Sequence, residues 1–128
     1  MLSACNPTWG SQMSKEVQLV MKYERRQGRN PEDVSRRYLG YDIKSDDRLI
    51  EVKKRAIKYG FLFMTKNEFL TFQKNKNAYL YLVYYREDKP KLKIIHRDTV
   101  LANSQISIKY QLRLRKKVME SAEEIELR

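Results

Sequence analysis

The chain has very few of the residues that build disulfides and soft-metal sites. Among its 128 residues there is one cysteine, Cys5, and one histidine, His96. A single cysteine excludes an internal disulfide and a cysteine zinc cluster, and a single histidine excludes a multi-histidine metal site. Any metal must therefore sit on carboxylates. That requirement favours Mg²⁺ or Mn²⁺, because hard cations prefer oxygen ligands.

Long hydrophobic runs are also missing. None approaches the ~18 consecutive apolar residues that span a bilayer, so we exclude a membrane protein and expect a cytoplasmic, intracellular one. The chain is long enough for one hydrophobic core and too short for two. We expect one domain over residues 13–117, after a disordered tail at 1–12 and before a charged helix or tail at 118–128.

Acidic residues are scarce relative to basic ones. Lysine and arginine number 27 against 16 aspartates and glutamates, which gives a formal charge of +11. A small domain with this charge attracts polyanions, so we expect nucleic acid, and DNA in particular, as the partner. Charge that only keeps the protein in solution is the alternative that composition leaves open.

Apolar spacing predicts an α/β fold with a central mixed sheet flanked by helices. Val17, Val20 and Met21 fall at helical spacing, which predicts a helix over residues 13–28. Two apolar runs separated by a polar turn predict a β-hairpin over residues 39–55. A capping box that begins at Thr65 predicts a second helix to about residue 75. Further strands are predicted at residues 61–64, 78–85, 92–95 and 106–114.

The predicted hairpin brings three charged residues together. The period of two in a strand places Glu51 and Lys53 on one face, and Asp42 lies on the partner strand close to Glu51. Two adjacent carboxylates repel each other unless a cation lies between them, so the arrangement favours a divalent metal. Such a metal with a neighbouring lysine is suited to the hydrolysis of phosphodiester bonds.

The spacing Glu-x-Lys alone is weak evidence for this chemistry. The same spacing recurs at Glu87-Asp88-Lys89, in a polar turn. The alternative for Glu51 and Lys53 is an exposed ion pair on a strand, which stabilises the fold by only a few tenths of a kcal/mol.

Three motifs carry a resemblance to a known family. They are Leu39-Gly40-Tyr41-Asp42-Ile43, Ile50-Glu51-Val52-Lys53 and Met64-Thr65-Lys66-Asn67-Glu68. Over about residues 14 to 115 the chain resembles the NO VEIN C-terminal domain family. That family is similar to a branch of the PD-(D/E)XK superfamily, whose restriction-endonuclease-like core is a helix, three strands, a helix and a further strand. The resemblance also implies a helicase or restriction-system partner.

The resemblance implies roles for individual residues. Asp42 corresponds to the first acidic residue of the superfamily, Glu51 to the second and Lys53 to its lysine. Glu16 on the first helix corresponds to an auxiliary glutamate, and Glu24 is its rival for that role. A buried glutamate paired with an arginine is the other interpretation of Glu24. The chain departs from the superfamily pattern at Tyr41, where proline would precede Asp42.

Basic residues near the motif and near the C-terminus are candidates for contact with phosphates. Lys54 and Arg55 directly follow the motif, and an exposed basic strand end is the alternative for them. The stronger candidate patch consists of Lys109, Arg113, Arg115, Lys116 and Lys117.

Two classes of function follow from these features. The first is a Mg²⁺-dependent DNA endonuclease in restriction, repair or defence, expected as a homodimer because cutting both strands suits two symmetric sites. The second is a catalytically silent nucleic-acid-binding or sensing module with the same fold. An RNA-binding or protein-interaction domain without nuclease ancestry is a further alternative.

Overall fold

A five-stranded mixed sheet organises the chain, with helices on both of its faces. The computed structural model describes residues 14–55 and 61–128. The α/β fold class with a central mixed sheet, predicted from apolar spacing, is confirmed. The disordered tail predicted at residues 1–12 lies outside the described residues. No described helix is both long and apolar enough to cross a membrane.

The strands lie in the sheet in the order in which they occur in the chain. β1, β2 and β3 form an antiparallel meander, β3 and β4 are parallel, and β4 and β5 are antiparallel. The elements are α1 (Lys15–Arg26), β1 (Pro31–Asp33), a 3₁₀ turn (Ser35–Arg37), β2 (Ile43–Ser45), β3 (Arg48–Lys54), α2 (Lys66–Lys74), β4 (Ala78–Arg86), β5 (Lys89–His96), α3 (Arg97–Asn103) and α4 (Lys116–Ser121). The parallel pair requires a crossover connection, which contains α2.

Helix α1 covers one face of the sheet. Its N-cap is Ser14, whose side chain accepts a hydrogen bond from the Val17 amide at 3.1 Å. Its buried stripe of Val17, Val20 and Met21 packs on the sheet residues Ile43, Ile50, Tyr81 and Val83. The helix predicted at residues 13–28 is therefore present within slightly narrower bounds.

Helices α2 and α3 cover the opposite face. Phe72 of α2 packs with Ala78 and Leu80 of β4, and Val100 and Leu101 of α3 pack against this cluster. The predicted capping box at Thr65 is formed. Of the other predicted strands, those at residues 78–85 and 92–95 are present as β4 and β5.

The strand predicted at residues 61–64 is wrong. This stretch has no strand pairing and lies against the face covered by α2, where Leu62 and Met64 touch the Phe72 cluster while Phe61 and Phe63 stay exposed. Both edges of β3 and both edges of β4 already have neighbours, so no edge of the central strands was left for it.

The strand predicted at residues 106–114 is also wrong. The segment forms no strand, and every residue from 102 to 128 is exposed. Its alternation of apolar and polar residues is real, but no described strand lies beside it. The basic residues of the predicted nucleic-acid patch therefore lie on an exposed segment and on α4, outside the sheet.

Candidate active site

The β2–β3 hairpin sets the position of Asp42. A two-residue turn at Asp46 and Asp47 closes the hairpin, and Asp46 has φ 50°, a left-handed conformation that aspartate tolerates. The register pairs Ile43 with Ile50, so Asp42, one residue before β2, lies across from Glu51. The Asp42 amide donates a hydrogen bond to the Ile50 carbonyl at 2.9 Å.

The Asp42 side chain is held by the backbone of β3. Its Oδ2 accepts a hydrogen bond from the Val52 amide at 2.8 Å. The segment before it packs on α2, since the Thr71 hydroxyl donates to the Leu39 carbonyl at 3.3 Å. Gly40 has φ 92°, and a Cβ there would overlap Thr71. The glycine of the first motif therefore permits the close approach that positions Asp42.

Alternation along β3 separates the charged residues from the core beneath α1. Ile50 and Val52 belong to the cluster under α1. Glu51 and Lys53 point to the other face, and Glu51 is in register with Leu80 of the α2-covered cluster. Asp42, Glu51 and Lys53 are thus brought together on the side of the sheet that α2 covers.

Lys53 lies between two carboxylates. Its Nζ is 3.3 Å from Glu51 Oε2 and 3.3 Å from Glu68 Oε1. The side chains of Lys53, Glu51 and Glu68 are 17%, 3% and 24% exposed, so the cluster sits largely out of water. We call these three residues with Asp42 the carboxylate–lysine cluster.

Glu68 has a second function as a helix cap. Its Oε1 accepts a hydrogen bond from the Thr65 amide at 2.9 Å, while its own amide donates to Thr65 Oγ1 at 3.1 Å. Sequence reasoning identified Glu68 only as part of the capping box and of the third motif. Glu68 belongs to the third motif, and Asp42, Glu51 and Lys53 belong to the first two. Its membership of a motif was the signal that could have assigned Glu68 to the site.

The electrostatics of the cluster disfavour two bare carboxylates. Burial raises the pKa of Glu51 to about 8, the negative charge of Asp42 adds to this rise, and Lys53 opposes it. Burial also raises the pKa of Asp42, against the hydrogen bond from the Val52 amide, which lowers it. One lysine is therefore not enough to compensate the pair.

One buried oxygen in the cluster has no hydrogen-bond partner among the described residues, namely Oε1 of Glu51. A buried orphan acceptor beside a second carboxylate fits a hard divalent cation. The described part of the chain contains no group of three or more metal-ligating side chains. Asp42 and Glu51 could therefore hold Mg²⁺ as a pair, because Mg²⁺ keeps several waters and often takes only one or two protein carboxylates.

Glu16 is not brought to this cluster. Its carboxylate accepts a hydrogen bond from the Tyr85 hydroxyl at 2.9 Å, on the face covered by α1. Lys54 lies on the same side, with Nζ 5.4 Å from the centre of the Tyr85 ring. Arg55 donates to the carbonyls of Phe61 and Lys54, both at 2.8 Å.

Glu24 is a buried structural residue. It is 0% exposed and pairs with Arg29, whose Nη2 donates to Glu24 Oε2 at 2.9 Å. The Tyr81 hydroxyl donates to the same oxygen at 2.7 Å and accepts from Arg48 at 2.8 Å. Burial alone would raise the pKa of Glu24. The hydrogen bonds from Arg29 and Tyr81 lower it by more than burial raises it, so the pKa of Glu24 lies below its usual value. Of the two interpretations of Glu24, these contacts agree with a buried glutamate paired with an arginine.

His96 also has a structural environment. Its Nε2 lies 2.8 Å from the Lys76 carbonyl, and its Nδ1 accepts a hydrogen bond from the Asp98 amide at 3.1 Å, which caps α3. A neutral ring protonated on Nε2 satisfies both contacts.

A comparison with known protein families finds a match for most of the fold. The family described as Protein NO VEIN, C-terminal, matches residues 14–95, which run from the N-cap of α1 into β5 and include the whole carboxylate–lysine cluster. The chain belongs to this family. The match ends before residue 115, so the basic segment at 109–117 lies beyond it. No curated protein and no solved structure matches the chain.

Proposed function

We propose that this NO VEIN C-terminal domain is a metal-dependent nuclease of the PD-(D/E)XK type that hydrolyses phosphodiester bonds in DNA. The observation that carries the proposal is the buried Oε1 of Glu51, which has no hydrogen-bond partner among the described residues. The other oxygen of this carboxylate, Oε2, is 3.3 Å from Lys53 Nζ, and the charge of Asp42 acts on the same carboxylate. Burying Glu51 beside a second carboxylate, with one acceptor unused, is costly for a scaffold and useful for a metal site.

The order of the elements supports the superfamily assignment. The core expected for it is a helix, three strands, a helix and a further strand. The chain runs α1, then β1 to β3, then α2, then β4, in that order. The third strand of this series is β3, which carries Glu51 and Lys53. The sequence prediction had counted residues 61–64 as one of the three strands before α2. In the structure β1 is the strand that completes this set of three.

Each residue of the cluster has a chemical role in the proposed reaction. Asp42, aimed by the Val52 amide, and Glu51 would hold Mg²⁺ or Mn²⁺. When bound, the ion would supply Lewis acidity and an activated water at neutral pH. The Lys53 ammonium would orient the scissile phosphate or the attacking water, and it would offset the negative charge that develops as the water oxygen bonds to phosphorus and the P–O bond to the leaving oxygen breaks. Glu68 holds Lys53 in place.

Charge supports nucleic acid as the substrate. The net charge of +11 favours any polyanion, and the residues proposed to contact phosphates are exposed or half-buried. They are Lys54, Arg55, Lys109, Arg113, Arg115, Lys116 and Lys117. A restriction, repair or defence setting, a helicase or restriction-system partner, and a cytoplasmic location belong to the same proposal.

A catalytically silent nucleic-acid-binding module is the second candidate. The observation that favours it is the double ion pair of Lys53, whose ammonium is already 3.3 Å from two carboxylates. In such a module the cluster would be a structural ion-pair network, and neither metal nor cleavage would depend on it.

Cleavage of supercoiled plasmid tests the proposal. We expect nicking with Mg²⁺ or Mn²⁺ and none with a chelator, and Asp42→Asn, Glu51→Gln and Lys53→Ala each to abolish most of it. Glu87→Gln is the matched control, because Glu87 belongs to the second Glu-x-Lys pattern in an exposed turn. Glu16→Gln should have only a small effect.

Thermal unfolding separates metal binding from chemistry. A metal that binds the folded state raises the melting temperature, and this rise should shrink in Asp42→Asn and Glu51→Gln but persist in Lys53→Ala. If the protein shows neither a melting shift with Mg²⁺ nor cleavage of plasmid, linear duplex, single-stranded DNA or RNA, the silent module becomes the better account.

A further inference from the structure

We infer that residues 105–115 form an antiparallel β-ribbon with the same segment of a second copy of the chain, centred on Tyr110. The segment lies beyond the family match and follows α3 as a stretch that is neither helix nor strand. The inference concerns assembly and does not depend on the proposed nuclease function.

The segment has a strongly apolar stripe without a partner. Its five apolar residues alternate with polar ones, and their exposed fractions run from 59% to 90%; they are Ile106, Ile108, Tyr110, Leu112 and Leu114. Together they expose roughly 600–800 Å² per chain, more than monomers usually leave in one patch.

The backbone of the segment is equally unpaired. Within the part of the chain that the structure describes, no backbone hydrogen bond involves residues 105–114. A strand with free amides and carbonyls and one apolar face is suited to pairing with another strand. Alternation with period two requires a partner strand, not a helix.

Self-pairing about Tyr110 places apolar residues beside apolar residues. In this antiparallel register Ile106 lies opposite Leu114 of the second copy, Ile108 lies opposite Leu112, and Tyr110 lies opposite its own symmetry mate. All five apolar residues therefore meet apolar residues on one face. A two-fold axis makes the interface isologous, as in most dimers.

The same register also keeps cations from lying directly opposite one another. Each cation lies opposite a neutral polar residue, in the pairs Lys109 with Gln111, Arg113 with Ser107, and Arg115 with Gln105. Moving the centre to Lys109 would place Lys109 opposite itself, and moving it to Gln111 would place Lys109 opposite Arg113. Like charges directly opposite each other destabilise a strand pair, so the register about Tyr110 is favoured.

The edge of the sheet is a poorer partner for the segment. β5 is the edge strand on that side, and its residues Lys89, Lys91 and Lys93 are exposed. Pro90 of the same strand has no amide to donate. A basic segment would therefore meet like charge and an interrupted ladder on β5, whereas it meets neither on a copy of itself. Lys109 Nζ lies 5.3 Å from the centre of the Phe63 ring, so this part of the segment lies beside the exposed side chain of Phe63.

Light scattering coupled to gel filtration tests the dimer and its register. We expect twice the 15.4 kDa of one chain. Gln111→Lys places lysine opposite Lys109 at two symmetric positions and should weaken dimerisation about tenfold, and Gln111→Glu should strengthen it. Gln73→Lys, the same charge change on the exposed side of α2, should leave the dimer unchanged.

Cysteine cross-linking gives a second measurement that reports directly on the register. In a Cys5→Ser background, Tyr110→Cys should form a disulfide-linked dimer, because the two residues 110 face each other across the axis. Ile108→Cys alone should not, but an equimolar mixture with Leu112→Cys should. A monomer at on the order of 100 μM, equal effects of the two Gln111 changes, or cross-linking of Ile108→Cys to itself would overturn the inference.

Discussion

The ammonium of Lys53 lies 3.3 Å from Oε1 of Glu68, a residue that also caps α2. A helix that closes the parallel crossover therefore supplies one of the two anions that hold the lysine of the β3 motif. The capping function and the ion pair use the same oxygen, which accepts from the Thr65 amide at 2.9 Å. Substitutions can separate the two functions.

Glu68→Gln should lower cleavage severalfold while leaving stability and Mg²⁺ binding almost unchanged. Glutamine keeps the hydrogen bond to the Thr65 amide, since capping boxes accept either residue, but it removes the charge that holds Lys53. Thr65→Ala is the matched control and should cost about 1 kcal/mol of unfolding free energy while cleavage is retained below the melting transition. Equal losses of stability in the two variants would show that Glu68 is only a cap.

The free energy of unfolding should fall as the pH rises from about 5 to about 8 in the presence of a chelator. Burial raises the pKa of Glu51 from 4.5 to about 8, with Asp42 contributing, so in this window the folded state holds a proton that the unfolded state has released. Glu51→Gln should remove most of this slope, and the metal-free variant should exceed the parent in stability near pH 8 by on the order of 2 kcal/mol.

Urea unfolding at several pH values measures this slope. Glu87→Gln should keep the slope of the parent, because Glu87 is an exposed turn residue. Saturating Mg²⁺ should flatten it, since the metal replaces the proton on the cluster. A parent protein whose stability is flat or rises over this range would contradict the buried, uncompensated state of Glu51.

The convergence of Asp42, Glu51 and Lys53 could be predicted from the sequence because a hairpin has few possible registers. The polar stretch between two alternating runs left one turn that keeps Ile43 and Ile50 in the core, and this register determines that Asp42 faces Glu51. Glu68 could not be placed in the same way. Its contact with Lys53 depends on how α2 crosses the sheet, which local patterns do not specify.

The errors in strand prediction have a common physical cause. Alternation shows that a segment has one apolar face, but it does not show that a neighbouring edge is free. Residues 61–64 form no strand because the central strands of the sheet are paired on both sides. The sequence prediction missed β1 because its three residues show no alternation. They form a strand only through their pairing with β2.

Glu24→Gln should destabilise the fold by about 3 kcal/mol, because it leaves the Arg29 guanidinium without its buried counter-charge. Tyr81→Phe, which removes only the hydroxyl between Glu24 and Arg48, should cost about 1–2 kcal/mol. The pKa of Glu24 is lowered in the fold, so its contribution is present above pH 4.5 and is lost as the pH falls below that value.

Glu16→Gln is the control for this network, since it alters only a half-buried hydrogen bond to Tyr85 and should change stability by less than about 1 kcal/mol. Thermal or urea unfolding gives these differences, and all three changes should have at most a small effect on plasmid cleavage below the transition. Loss of cleavage in Glu24→Gln with unchanged stability would instead make Glu24 the auxiliary glutamate of the site.

Neutralising the basic segment should reduce the salt dependence of DNA binding. Replacing Lys109, Arg113 and Arg115 by glutamine removes three exposed charges, and each phosphate contact that is lost should lower the slope of log K against log salt by ~0.9 on duplex DNA. The matched control replaces Lys89, Lys91 and Lys93 of β5, which changes the net charge by the same amount at the edge of the sheet.

Fluorescence anisotropy across a salt series, with the mass of each variant checked by light scattering, measures the slopes. A larger loss in the first variant assigns the phosphates to the segment, because the long-range field of the protein is equal in both. Equal losses would mean that DNA responds only to the overall charge.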